Sequence, residues 1–268
     1  NGSREALFSF TQAYIDRTKS PFVILPCPFY QIYEGASLMA GATPYYCPQT
    51  AENNFAMDLD SVPEEVLRNT QLVFVCSPSN PTGKVLNLED WKKLFSYSDK
   101  YGFVIGSDEC YSEIYFDEER PPLGALEVAK LLGRDNFERL IVFSSLSKRS
   151  NIPGMRTGFV AGDAALIKPY LLYRTYHGCA MSGPIQQASI AAWNDEEHVR
   201  ESRRLYKEKF AAAVPLMSKT LGISMPDASF YLWAKTPIDD QEYAKRLYEE
   251  KAITVLPGSF LSRDCGGL

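Results

Sequence analysis

The chain has 268 residues, 45% of them hydrophobic, enough for one large domain or one and part of another. Its 28 basic and 33 acidic residues leave a formal charge of −5, and that mild acidity argues against the clustered basic face of a nucleic-acid binder. No run of about 18 apolar residues is present to span a membrane, and the opening residues do not read as a signal peptide.

In chain order, Asn1-Gly2-Ser3 reads as the turn into a helix over 4–15, with Ser3 as its cap. A short buried strand over 22–25 is closed by Pro26-Cys27-Pro28. Residues 30–39 form a helix ending at Gly41, and 43–46 a strand placed near a sheet edge by Pro44. A short helix over 61–67 leads to an interior strand over 72–76, a helix over 88–101, and a second interior strand over 103–107 that ends on Asp108. Two more strands lie at 140–143 and 159–161.

Helical patterns cover 164–176, 184–193 and 197–221, and short strands at 230–233 and 253–256 flank a helix over 241–251. Strands alternating with helices predict an α/β fold with a mainly parallel sheet between helices. We divide the chain into a large domain, 1–196, and the beginning of a smaller α+β domain, 197–268. It opens with no strand before the first helix and closes within a loop, Gly266-Gly267-Leu268, so it reads as a piece of a longer protein.

The six cysteines, Cys27, Cys47, Cys76, Cys110, Cys179 and Cys265, form no C-x-x-C pair. With only His177 and His198 beside them there is no zinc set. We read the cysteines as free thiols, several of them small buried hydrophobes at strand positions, in a reducing cytoplasmic compartment.

Ligands of open α/β sheets bind at the carboxyl ends of the strands, and that is where Asn80, Asp108, Ser145 and Lys148 fall. Singly, each has an ordinary reading. Gly2-Ser3-Arg4 can be a helix cap or a phosphate-binding helix start; Asn80-Pro81-Thr82-Gly83 can be a plain turn. Asp108 can cap the next turn, Tyr30 can be a core aromatic, and Arg156 and Lys148 can be surface charges. Together they match the needs of one cofactor, pyridoxal 5′-phosphate: an amine for its aldehyde, a carboxylate for its ring nitrogen, donors for its phenolic oxygen, an aromatic face and a phosphate cradle.

Asn80-Pro81-Thr82-Gly83, Asp108-x-x-Tyr111 and Ser145-x-x-Lys148 followed by Arg156 resemble the fold-type I, class I/II aminotransferases of the aspartate aminotransferase superfamily. The resemblance implies that Lys148 forms the Schiff base and that Asp108 pairs with the pyridinium nitrogen. Asn80 and Tyr111 would bond the phenolic oxygen and Tyr30 stack on the ring. Gly2, Ser3, Arg4, Ser145 and Arg156 would hold the phosphate, with Ser147 as a further contact.

A narrower resemblance, to succinyldiaminopimelate aminotransferases of bacterial lysine biosynthesis, is carried by Pro28 to Gly35, Ser107 to Tyr115, Ser147 to Asn151 and Tyr173 to Gly178. It implies an amino donor and a 2-oxo acid acceptor as small-molecule partners, in a homodimer with a shared site. Arg174 would reach the substrate's far carboxylate from the neighbouring subunit, although a helix-end role fits it as well. The arginine for the α-carboxylate would follow Leu268, and a tyrosine lent to the neighbour's phosphate would precede Asn1. Another fold-type I enzyme, such as a β-lyase, and a cofactor-binding sensor domain remain alternatives at this stage.

Overall fold

The computed structural model describes residues 1–263. Its centre is one six-stranded sheet, built from apolar runs that lack polar alternation because both faces are covered. The strands are β1 (Phe22–Cys27), β2 (Thr43–Pro48), β3 (Thr70–Cys76), β4 (Val104–Asp108), β5 (Leu140–Ser145) and β6 (Gly158–Gly162). Their order across the sheet is β2-β1-β3-β4-β5-β6. All neighbours are parallel except β5 and β6, which are antiparallel. The Pro44 strand is indeed an edge. The order reverses between β1 and β3, which opens a crevice at their carboxyl ends.

Among the described residues ten α-helices connect and cover the strands: α1 (Ser3–Tyr14), α2 (Gln31–Ala40), α3 (Glu64–Asn69), α4 (Leu88–Tyr101), α5 (Ala125–Leu131), α6 (Leu146–Arg149), α7 (Ala164–His177), α8 (Gly183–Trp193), α9 (Glu197–Met217) and α10 (Asp240–Lys251). Side chains alternate along each strand, so Leu72 and Phe74 enter one core while Val73 and Val75 enter the other. The first core packs against Leu7, Phe10, Tyr33 and Tyr170 from α1, α2 and α7. The second packs against Trp91, Leu94, Phe95 and Val128 from α4 and α5. Helix α4 is capped at both ends, by an Asn87–Asp90 capping box and by a left-handed Gly102.

Several expectations are corrected. Residues 61–67 are not one helix: a 3-10 turn, Leu59–Ser61, is separated from α3 by Val62 and Pro63, since the residue before a proline is driven out of the helical region. Helix α9 stops at Met217. Helix α5 was not expected. Ser3 does not cap α1; the cap is Gly2 at φ 84°, and no side chain bonds the first N–H groups. The segments 230–233 and 253–256 are not strands, because neither has a backbone ladder to join. Ile253, Val255 and Leu256 are 50%, 43% and 59% exposed, so no core holds them extended. Cys27, at the end of β1, is disulfide-bonded, and the free-thiol reading holds for Cys47, Cys76, Cys110 and Cys179. Cys265 lies outside the described residues. No helix among the described residues is long and apolar enough to cross a membrane.

Candidate active site

Four strand ends, those of β1, β3, β4 and β5, each deliver one part of a single cleft of about 480 Å3. Tyr30 follows β1, Asn80 follows β3, Asp108 ends β4 and Tyr111 lies in the turn beyond it. Ser145 ends β5 and caps the short α6 through Ser147 N, at 3.3 Å. That turn of helix, where a loop was expected, carries Lys148 into the cleft. The start of α1 brings Ser3 and Arg4, and the turn after α6 brings Arg156. Ten of the predicted residues therefore line one cavity, counting Ser147 and omitting only Gly2 and Arg174.

Gly2 lies immediately behind the cleft for a steric reason. A Cβ there would stand 2.3 Å from Arg156 Nη2, and φ is +84°. Arg156 donates to the Pro153 carbonyl at 2.7 Å and the Asn1 carbonyl at 3.1 Å, which clamps its guanidinium beside the uncapped N-terminus of α1. The Ser3 hydroxyl is 2.9 Å from Cys110 Sγ, which in turn is 3.6 Å from Ser145 Oγ. Backbone N–H groups, hydroxyls and a guanidinium thus meet at one end, a donor set suited to a dianionic phosphate.

At the other end Asp108, 3% exposed, accepts from Tyr33 Oη at 2.7 Å and from Cys110 N at 3.2 Å. Burial pushes its carboxyl above the usual range, against the pull of those two bonds. Asp108 makes no ion pair among the described residues, and a carboxylate so buried is costly without a cationic partner. A protonated ring nitrogen would supply one. Lys148 likewise has no carboxylate partner among the described residues; its Nζ lies 5.3 Å from the Phe230 ring centre. The residues present fit pyridoxal phosphate.

The aromatic wall is layered. Tyr33 stacks on Phe74 at 4.8 Å and meets Tyr30 edge-on at 5.7 Å, while Arg4 Nε donates to Tyr30 Oη at 2.6 Å. The Tyr111 and Tyr231 hydroxyls are 3.0 Å apart. Burial first, and then the neighbouring Tyr231, push the Tyr111 phenol far above its ordinary range, so it stays protonated.

Tyr33, Cys110, Pro153 and Tyr231 went unassigned in the sequence. Only Tyr33 had a legible signal, three residues beyond Tyr30 and so on the same helix face.

Arg174 is not in the cleft. It pairs with Glu5 and donates to the Cys179 carbonyl at 2.9 Å. A second groove, of 490 Å3, runs between Tyr115–Glu118 and α9. Its buried Arg203 is already held by Glu113 and Glu118 and stacked on Tyr115, an arrangement that serves packing.

Comparison with known proteins agrees with this geometry. The sequence pattern of the family "Aminotransferase class I and II" matches residues 1–264. An LL-diaminopimelate aminotransferase of Aquifex aeolicus is 35% identical over 267 residues, covering 96% of this chain and 66% of its own length. An aminotransferase structure from Neisseria meningitidis is 55% identical with a TM-score of 0.92, over 98% of this chain and 67% of that one. A probable N-succinyldiaminopimelate aminotransferase from Thermus thermophilus superposes with a TM-score of 0.89 at 25% identity, over 99% of this chain and 69% of that one. The chain spans about two thirds of the length of the curated relatives it matches, between 65% and 66%.

Proposed function

The chain belongs to the class I and II aminotransferases, a pyridoxal-phosphate-dependent family, and on that premise we propose that the protein moves an amino group from an amino acid to a 2-oxo acid. The observation that carries this reading is the convergence on one cleft of Asp108 from the end of β4 with Lys148 and Arg156 from the connection between β5 and β6. When bound, pyridoxal phosphate supplies an aldehyde for amino groups and a ring that withdraws electrons.

This chain's residues do the rest. The Asp108 carboxylate would hold the proton of the ring nitrogen. Tyr111 and Asn80 would donate to the phenolic oxygen. Arg156, Ser3, Ser145 and the free N–H groups of α1 would hold the phosphate, and Tyr30, its hydroxyl tethered by Arg4, would offer the ring an aromatic face. Lys148 Nζ would be the amine for the aldehyde and, when not so engaged, the base positioned to move a proton at the donor's Cα.

For the substrate we propose N-succinyl-LL-2,6-diaminopimelate with 2-oxoglutarate as its keto partner, a step in lysine biosynthesis. The diaminopimelate skeleton shared by the names of the Aquifex and Thermus relatives supports it. A role for Arg174 at the far carboxylate requires that carboxylate to replace Glu5 on its guanidinium; an unchanged KM for a dicarboxylic donor in Arg174→Ala rules it out. A homodimer is part of the proposal, supported by exposed Leu171, Leu172 and Ile190 on α7 and α8. So is a cytoplasmic setting, supported by the four free cysteines, while the disulfide at Cys27 counts against it.

The test uses the full-length protein. It is loaded with pyridoxal phosphate, its visible spectrum is recorded, and succinylated and free diaminopimelate are offered with 2-oxoglutarate. Glutamate formation with the succinylated donor is the expected result. Turnover of free diaminopimelate alone overturns the substrate assignment; in a separate arm, ammonia with pyruvate released without an acceptor from an amino acid carrying a leaving group on its β-carbon, such as cystathionine, marks a β-lyase instead.

A further inference from the structure

The C-terminal part of the chain enters the cleft through a short segment, 226–231, that is sewn to both loops bearing the expected phenolic-oxygen donors. Ala228 N donates to the Gly83 carbonyl at 3.1 Å, beside the Asn80 turn, and Ser229 N donates to the Ile114 carbonyl at 2.8 Å, beside the Tyr111 turn. Asp227 accepts from Val85 N at 3.2 Å and pairs with Lys84 at 3.4 Å. Gly83, at φ +73°, leaves no room for a side chain: a Cβ would meet the Ala228 carbonyl oxygen at 2.6 Å. Ala228 and Ser229 are fully buried. Phe230 then packs edge-on against Tyr111 at 5.4 Å and stacks on Tyr206 at 5.7 Å. So anchored, Tyr231 places its hydroxyl 3.0 Å from that of Tyr111.

We propose that Tyr231 is a positioning residue of the cofactor site, acting through Tyr111. A phenol has one proton to give. When Tyr111 donates it to the anionic phenolic oxygen of the cofactor, the hydroxyl within reach of Tyr111's lone pair is that of Tyr231, which must then be the donor. A chain of two bonds, Tyr231 to Tyr111 to cofactor, polarises the inner O–H and strengthens its hold on negative charge. No covalent step is involved. The inference rests on the pyridoxal-phosphate reading of the cleft.

The experiment is a spectroscopic pH titration of the full-length holoenzyme, wild type against Y231F, Y111F and the double variant. Stabilising negative charge on the phenolic oxygen favours the deprotonated form of the bound cofactor, so losing the outer bond raises the midpoint. The expected shift for Y231F is about 0.2–0.5 pH unit, a fraction of what one bond to a charged group supplies. For Y111F the shift is larger, and the double variant matches Y111F, because Tyr231 has nothing left to act through.

The other ionisable groups around the pair, Asp108, Cys76, Tyr30, Tyr206 and Lys148, are untouched by the substitution. An unmoved midpoint in Y231F overturns the proposal, even if melting temperature falls, since that marks a packing role alone. So does a double-variant shift equal to the sum of the single ones. A wild-type protein that never develops the visible band defeats the functional reading itself, and is told apart from these outcomes by that spectrum.

Discussion

Two carboxylates stand side by side at the end of β4 and serve opposite faces of the sheet. Asp108 opens into the cleft with one phenol and one N–H as partners. Glu109 turns away, accepting from Ser107 Oγ at 3.0 Å and from Ala125 N at 2.8 Å, the first turn of α5, whose own cap residue Gly124 has no side chain. Burial pushes both carboxyls up, Glu109 to about 7, with the charge of Asp108 adding to it. A raised pKa therefore does not distinguish a working group from a structural one here. What separates the two is where their unfilled lone pairs point: into a cavity on one side, onto a helix start on the other.

The sharpest way to break that contrast is on the cleft side. Lys148→Ala removes both the amine for the aldehyde and the base, so turnover is expected to fall by more than about 10³-fold, with the visible band of covalently held cofactor lost. An unaltered band would sink the assignment. Asp108→Asn removes the counter-charge while keeping the shape, and should lower kcat/KM by about 10²–10³-fold, the scale of breaking a buried ion pair. Tyr33→Phe acts one bond further out. It deprives Asp108 of its phenolic donor and is expected to weaken cofactor binding by roughly tenfold, read by equilibrium titration of the apoenzyme.

The back face should respond differently. Glu109 has a folded pKa of about 7 against an ordinary value of 4.5, so the folded state binds the extra proton between those values. The contribution of Glu109 to stability is then most favourable below about pH 4.5, declines as pH rises, and carries the full penalty above about 7. In Glu109→Gln that decline should flatten, by on the order of 3 kcal/mol between the two limits, in urea unfolding measured across the range. Activity per cofactor bound should change little. A large activity loss with unchanged stability would erase the distinction between the two faces.

Much of this was legible in one dimension. The runs at 72–76 and 140–143 are apolar enough to be interior strands whatever surrounds them, and in a parallel sheet the residues after such runs collect at one edge. That is why Asn80, Asp108, Ser145 and Lys148 group together from the sequence alone. The exposed segment 253–256 shows the converse. Its β-branched run looks like a strand, yet a strand exists only by pairing, and none of the described residues pairs with it. Ser3 looked like a cap by residue type, but its hydroxyl is drawn 107 positions along the chain to Cys110.

The sequence alone determined which residue types stand at the strand ends, and with them the chemistry of the cofactor, because local periodicity and turn residues decide where each strand stops. The tertiary structure decided the pairings: Tyr33 with Asp108 across 75 positions, Tyr111 with Tyr231 across 120, and Arg174 with Glu5 across 169. Such pairs depend on how crossovers bring distant elements together, and no local pattern encodes the partner of a hydroxyl or a guanidinium. Lys148, Asp108 and Arg156 could be named from their neighbours in sequence; the groups that hold them in place could be named only from their neighbours in space.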